Sequence, residues 1–308
     1  MYKVFIDGRE GTTGLQIYDR LSVRNDIELI VLPEELRKDT GARKDCINRA
    51  DIVFLCLPDA AAKEAVTLCE NPETKIIDAS TAHRTVPGWA YGFPELSYDF
   101  RKSVEREKRI ANPGCHASGF ISLVYPLVRS GIVNSDYPFV AHSVTGYSGG
   151  GKKMIAEYEA PDRDKELDSP RQYGLTLKHK HLPEMTKVCG LSRTPVFNPI
   201  VSDYYCGMCV TVSLFADLMN VSMTPQKLRE FYKEYYFGAK FIGIDEKEHS
   251  FLGANNFAGS NRMEIFIGGN EERLLLCSRF DNLGKGASGA AVQNMNIALG
   301  LEEDAFLK

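Results

Sequence analysis

A chain of 308 residues with 44% hydrophobic and 25% charged side chains can bury substantial cores, and its length fits two domains better than one. A formal net charge of -4, with no arginine-lysine block that would track phosphates, argues against nucleic acid and anionic membranes as partners. No apolar run approaches the ~20 residues that cross a bilayer, and the opening MYKVFID is too short for a signal-peptide core, so a cytoplasmic protein is expected.

In chain order, KVFID reads as a strand, GREGTTG as a glycine-rich turn and LQIYDRLSVR as a helix. IELIVL is a second strand. Ala50 to Pro58 is a continuous apolar run stopped by proline, as expected of a parallel strand covered on both faces. AAAKEAVTLCE is then a helix and KIIDAS another buried strand. The alternation predicts an α/β fold of the Rossmann type, a doubly wound parallel sheet with right-handed crossovers. After Gly114 the pattern changes. FISLVYPLVRSGI reads as a helix interrupted or kinked at Pro126. FVAHSVTGYSG, YYCGMCVTVSLFADL, RMEIFIGG and RLLLCSRF then suggest an α+β domain with an antiparallel or mixed sheet. GKGASGAAVQNMNIALGL closes the chain as a glycine-rich loop opening a helix. A domain boundary is expected after residue 114.

Gly8, Gly11 and Gly14 lie between the first strand and the first helix, where glycine permits a tight turn and close approach to a pyrophosphate. The second strand does not end in the lone acid that grips a ribose 2'-hydroxyl, and Arg9 or Arg37 would suit a 2'-phosphate. That leans toward NADP(H). Cys115, in NPGCHASG, is the one cysteine of eight placed between a turn and a helix start, where the positive end of the helix dipole favours a thiolate nucleophile.

A thiolate nucleophile needs a proton partner, and His181 in KHKHLPEM has the best context among six histidines. His116 adjoins the cysteine, but sequence neighbours at a helix start point apart. Arg84, after the strand KIIDAS, suits a phosphate clamp. Ser143 to Lys153 reads as a backbone anion nest or a mobile cover, with a plain surface loop as the alternative. Cys206 and Cys209 sit three apart in a strand-like run, on opposite faces, and no second CxxC completes a zinc site. No metal is expected, and the other cysteines, such as Cys56, Cys69 and Cys277 in apolar runs, are expected to be reduced and buried.

Taken in order, GREGTTG, IIDASTAHR, YGFPEL, NPGCHASGF, HSVTGYSGGGK, KHKHLPEM and GKGASGAAVQNMN resemble the landmarks of the N-acetyl-gamma-glutamyl-phosphate reductases, in their compact subfamily. Aspartate-semialdehyde dehydrogenases are broader relatives. His83-Arg84 stands where longer members carry an aromatic-arginine pair, and His116 where tyrosine usually follows the cysteine. The resemblance implies NADP(H) as cofactor and a place in arginine biosynthesis, with Cys115 as nucleophile and His181 as acid-base residue. It implies 1–114 with 285–308 as the dinucleotide-binding domain and 115–284 as the catalytic and oligomerisation domain. It further implies cofactor contacts from Gly8, Arg9, Gly11, Thr12, Thr13, Gly14, Ser80, Gly284 and Gly286. Arg84, Asn112, Ser148, Gly149 and Lys152 would contact a small acyl-phosphate substrate, and a homo-oligomer, dimer or tetramer, is expected. An aspartyl-phosphate enzyme, or an NADP(H) sensor without turnover, are the competing readings.

Overall fold

The computed structural model describes residues 1–9 and 11–308. They fall into two compact units, Met1–Pro113 with Ala287–Lys308, and Gly114–Gly286.

The first unit holds a six-stranded sheet built from β1 (Tyr2–Asp7), β2 (Ile27–Ile30), β3 (Ile52–Leu55), β4 (Lys75–Asp78), β5 (Ala90–Tyr91) and β6 (Arg109–Ala111). The order is β2-β1-β3-β4-β6-β5, and every pairing is parallel. The helices are α1 (Thr12–Ser22), α2 (Thr40–Arg49), α3 (Asp59–Thr67), α4 (Tyr98–Arg106) and the C-terminal α9 (Gly289–Ala298). Strand residues alternate between two cores. Val4, Ile6, Ile52, Phe54 and Ile77 meet α1, α4 and α9 on one face. Phe5, Val53, Leu55 and Ile76 meet α2 and α3 on the other. Burial on both faces is why β3 reads as unbroken hydrophobics.

The second unit holds α5 (Cys115–Arg129), β7 (Val140–Gly146), α6 (Gly151–Glu159), β8 (Arg171–Gln172), α7 (Leu182–Val188), β9 (Val196–Ser202), β10 (Met208–Phe215), α8 (Pro225–Tyr235), β11 (Ile242–Ile244), β12 (Met263–Gly269) and β13 (Arg273–Phe280). Its sheet runs β11-β12-β13-β10-β7-β9-β8. The β7–β9 and β11–β12 pairs are parallel and the others antiparallel, so the sheet is mixed.

Pro126 does not interrupt α5, which runs through it. A proline cannot donate to the carbonyl four residues back, and the Tyr236 hydroxyl donates to that Ser122 carbonyl instead, at 2.7 Å. Tyr232 caps the next carbonyl, that of Leu123. Gly119 lets the helix lie close to the sheet, because a Cβ there would collide with Val210 of β10.

Candidate functional sites

In the first unit, the turn after β1 is shaped by backbone contacts. Gly8 has a φ of +87°, and a Cβ there would collide with the Cys56 carbonyl. A Cβ on Gly14 would lie 2.5 Å from the Gly8 carbonyl oxygen, so this glycine lets α1 press on its own turn. Gly11 is the extended residue that enters α1, and no side chain caps the helix. The Thr12 hydroxyl oxygen is buried without a hydrogen-bond partner. An orphaned donor beside a helix N-terminus, with glycines holding the backbone back, suits a dinucleotide phosphate.

A pocket opens next to this turn. Tyr18, Leu29, Val31 and Leu57 give it apolar walls, while Arg9, Arg37 and Lys38 supply cations and Asp7 and Glu34 two acids. The Arg9 guanidinium lies over the Tyr18 ring at 4.5 Å, and Arg37 pairs with Glu34 at 3.2 Å. Asp7, at the end of β1, is buried against Arg43 at 2.9 Å. Burial raises its pKa, opposed by the Arg43 hydrogen bond and charge. Asp7 is therefore committed to Arg43.

Farther along the same sheet edge, Asp78 is a buried hub that sequence reasoning missed. It accepts from the Ser80 amide at 2.9 Å and the Ser80 hydroxyl at 2.8 Å, and it lies 2.6 Å from His83 Nδ1. The His83 ring stacks on Trp89 at 4.0 Å. Of the expected ligand contacts, Ser80 is thus engaged with Asp78. The Arg84 guanidinium donates to the carbonyls of Asn112 and Ala79 at 2.9 and 3.1 Å, tying two loops together. Asn112 is buried, donating to Ala287 O at 3.0 Å and accepting from Asn294 at 3.1 Å. Its amide serves as a scaffold for the loop before Cys115.

In the second unit, Gly114 is the extended entry residue of α5 and Cys115 its first residue. Cys115 is half-buried, whereas every residue from His116 to Val124 is buried. The Glu184 carboxylate, only 2% exposed, accepts from the Gly114 amide at 3.2 Å. The glutamate of HLPE thereby holds the turn that presents the thiol. His181, buried, is the residue before α7, and its backbone amide donates to His179 Nδ1 at 3.2 Å.

His116, His179 and His181 form a ring cluster, with centroids 5.4, 5.7 and 4.8 Å apart. Burial first, then the charges of His179 and Lys180, push His116 down to about 3. Burial and Lys180 push His179 down to about 4. Both are neutral at neutral pH. Tyr173 joins the cluster through a 2.7 Å contact with His116 Nε2. The structure therefore brings Cys115 and His181 into one neighbourhood and adds His116, His179, Tyr173 and Glu184. Residue order offers His116 as a neighbour of the cysteine and the KHKH spelling as a hint of His179, and nothing in it points to Tyr173.

Gly286 also belongs here, since a Cβ on it would lie 2.9 Å from the Cys115 Cβ. Gly284 packs instead against the Ser260 carbonyl. The segment after β7 is not an open nest at its start. The amides of Gly146, Tyr147 and Ser148 donate to the carbonyls of Gly207, Tyr204 and Tyr205, and α6 follows at once. Ser148 is buried and accepts from Asn282 at 3.0 Å, with Gly149 beside the same amide, while Lys152 is exposed on α6.

Cys206 precedes β10 rather than lying in it, because the chain at 204–207 is bent to supply those carbonyls. Burial pushes its thiol up to about 11. Cys209 faces Cys277 of β13 through Thr211 Oγ1, at 3.9 and 3.5 Å. All eight cysteines are unbridged. Among the described residues no cluster of histidine, cysteine, aspartate or glutamate is arranged to hold a metal ion, and no helix is long and apolar enough to cross a membrane.

Comparisons with known proteins cover both units. Residues 30–103 match the family model described as semialdehyde dehydrogenase, NAD binding domain, and residues 115–282 match semialdehyde dehydrogenase, dimerisation domain. The chain is 42% identical to N-acetyl-gamma-glutamyl-phosphate reductase 2 of Nostoc sp., over 99% of each chain. It is 44% identical to the protein of the same name in Pseudomonas putida, over 96% of each. Among solved structures, aspartate semialdehyde dehydrogenase II of Vibrio cholerae superimposes with a TM-score of 0.73 at 12% identity, covering 97% of this chain and 98% of that one. The enzyme of Francisella tularensis also gives 0.73, at 14% identity over 96% and 99%. At such identities the likeness establishes the fold alone.

Proposed function

The chain belongs to the N-acetyl-gamma-glutamyl-phosphate reductase family, and we propose that it reduces N-acetyl-gamma-glutamyl phosphate to the semialdehyde with release of phosphate, in arginine biosynthesis in the cytoplasm. The observation that carries this reading is the half-buried thiol of Cys115 at the head of a buried helix, with His181 in the surrounding ring cluster and Glu184 holding the turn.

Cys115 adds as thiolate to the acyl carbon. The C–S bond forms, the carbonyl pair moves to oxygen, and its return breaks the C–O bond to phosphate, leaving a thioester. NADPH, when bound, supplies the hydride that reduces this thioester. His181 holds the thiol proton while sulfur attacks and gives it back when the thiohemiacetal C–S bond breaks with its electron pair returning to sulfur. Lys152, exposed next to Ser148 and Gly149, and the Arg84 loop are the proposed substrate contacts.

NADP(H) rather than NAD(H) is favoured by the cationic rim of Arg9, Arg37 and Lys38 beside a β2 that ends without an acid. A homo-oligomer assembled through the second unit is the accompanying proposal, supported by the family model's description of that region. Light scattering of the purified protein tests it.

The decisive assay is phosphate-dependent reduction of NADP+ by N-acetylglutamate semialdehyde, with wild type and Cys115→Ala. Turnover lost in the variant supports the reading. Activity with aspartate semialdehyde alone would keep the chemistry and replace the substrate, and inactivity with both would overturn the assignment.

A further inference from the structure

His116 follows the nucleophile directly and has both ring nitrogens engaged. Nδ1 lies 2.8 Å from the Ser143 hydroxyl on β7, and Nε2 lies 2.7 Å from the Tyr173 hydroxyl. The rest of its surroundings are rings, with Phe197 at 5.3 Å alongside His179 and His181. A histidine held neutral down to about pH 3 is not an acid or base under working conditions. A neutral imidazole has one donor and one acceptor nitrogen. It can therefore pass a hydrogen-bond direction from one neighbour to the other.

Two directions exist. If the Ser143 hydroxyl donates to Nδ1, then Nε2–H donates to the Tyr173 oxygen, and the phenol keeps its own proton for a third partner. In the reverse order the phenol proton is spent on Nε2. Ser143 is fully buried in a strand, and a hydroxyl there both donates and accepts, which permits the first order. Tyr173 is held above its ordinary pKa by burial first and then by negative charge at Cys115. It stays a phenol rather than a phenolate, and its hydroxyl sits on the imidazole of the residue that directly follows Cys115.

We infer that Tyr173 is a catalytic residue that donates a hydrogen bond to the acyl oxygen of the group on Cys115, and that His116, backed by Ser143, is the positioning residue that aims it. The inference rests on the thioester mechanism above. When the C–S bond forms, the carbonyl pair moves onto oxygen, and charge appears where a pre-aimed donor stabilises it most. The Tyr173 proton stays on its own oxygen. Collapse returns the pair, breaks the C–O bond to phosphate and releases the hydrogen bond unchanged.

The test uses the full-length protein as wild type, Tyr173→Phe, His116→Gln and the double variant, assayed for forward and reverse turnover. Each is also titrated for the rate of Cys115 alkylation by iodoacetamide against pH. Tyr173→Phe should lose roughly 100-fold in kcat, with KM within about threefold and the alkylation profile unchanged. His116→Gln should lose less, and the double variant should be no worse than Tyr173→Phe, because both changes act through one hydroxyl. Both limbs of the kcat/KM pH profile should survive His116→Gln.

Near-full kcat in Tyr173→Phe, multiplying losses in the double variant, or a missing pH limb in His116→Gln would each overturn the inference. So would alkylation that slows in step with turnover, since Tyr173 would then serve the sulfur. Should His116→Gln melt early, Ser143→Ala replaces it, with a partial kcat loss at constant KM expected and no loss contradicting the chain. Failure of the parent mechanism has a separate signature, turnover that survives Cys115→Ala.

Discussion

Helices α1 and α5 begin with the same backbone device. Each is entered through an extended glycine, Gly11 at φ -73° and ψ 159° and Gly114 at φ -80° and ψ 146°, and neither has a side-chain cap. Their surroundings differ. Helix α1 buries a single stripe, Gly14, Ile17 and Leu21, and its turn borders a pocket. Helix α5 is buried through its first three turns, and carboxylate, imidazole and phenol groups gather near its head. The positive end of a helix thus faces a pocket in one place and, in the other, the thiol proposed as nucleophile. What surrounds the helix start decides which.

Four measurements break or sharpen that contrast. The largest effect is expected for Cys115→Ser, which should cost at least ~1,000-fold in kcat while NADPH affinity, followed by fluorescence titration, stays at the wild-type value. Next comes Gly14→Ala. Its Cβ would lie 2.5 Å from the Gly8 oxygen and 2.9 Å from the Arg9 Cα, backbone atoms that cannot swing away. NADPH affinity should fall by about 10- to 100-fold, with the alkylation rate of Cys115 unchanged. A variant that instead slowed alkylation would show that the two helix starts are not independent.

Glu184→Ala removes the acceptor of the Gly114 amide. An unsatisfied buried amide costs about 1–3 kcal/mol. A lower melting temperature and a kcat reduced roughly tenfold are expected; an unchanged kcat would separate the tie from the chemistry.

The smallest effect concerns acid stability. His116 titrates near 3 in the folded protein, against an ordinary value of 6.5. The unfolded chain binds the extra proton between those values, so stability is fully present above pH 6.5 and is lost as pH falls toward 3. One buried histidine contributes on the order of 1 kcal/mol per pH unit in that window, and urea midpoints at several pH values should show a shallower slope in His116→Gln. Identical slopes would place the acid sensitivity elsewhere, with His179 the next group to examine.

Much of the first unit was legible in residue order because its signals are local. Ala50 to Pro58 reads as a buried strand without knowledge of its neighbours, and Gly8 and Gly14 mark a turn whose conformation they alone permit. Cys115 stood out for the same reason, as a thiol between a turn and a helix pattern. The additions around it did not. Ser143, Tyr173 and Glu184 reach His116 or Gly114 across 27, 57 and 70 residues. The glycine-rich stretch after β7 misled for a related cause, since its first amides are taken by carbonyls of residues 204–207. Nor did residue order show that Arg84 donates to the main-chain carbonyls of Asn112 and Ala79, or that the Asn112 amide donates to Ala287 O.

Residue order by itself determined the alternating elements of the first unit, the glycine turn, the place of Cys115 between a turn and a helix, and the family, all of which depend on backbone preferences and short-range patterns. The tertiary structure alone decided which polar groups gather near Cys115, which of them anchor its turn and which histidines are kept from titrating. Those roles follow from burial and from hydrogen-bond partners distant in sequence, and a side chain's charge state and direction do not exist until the fold has removed its water.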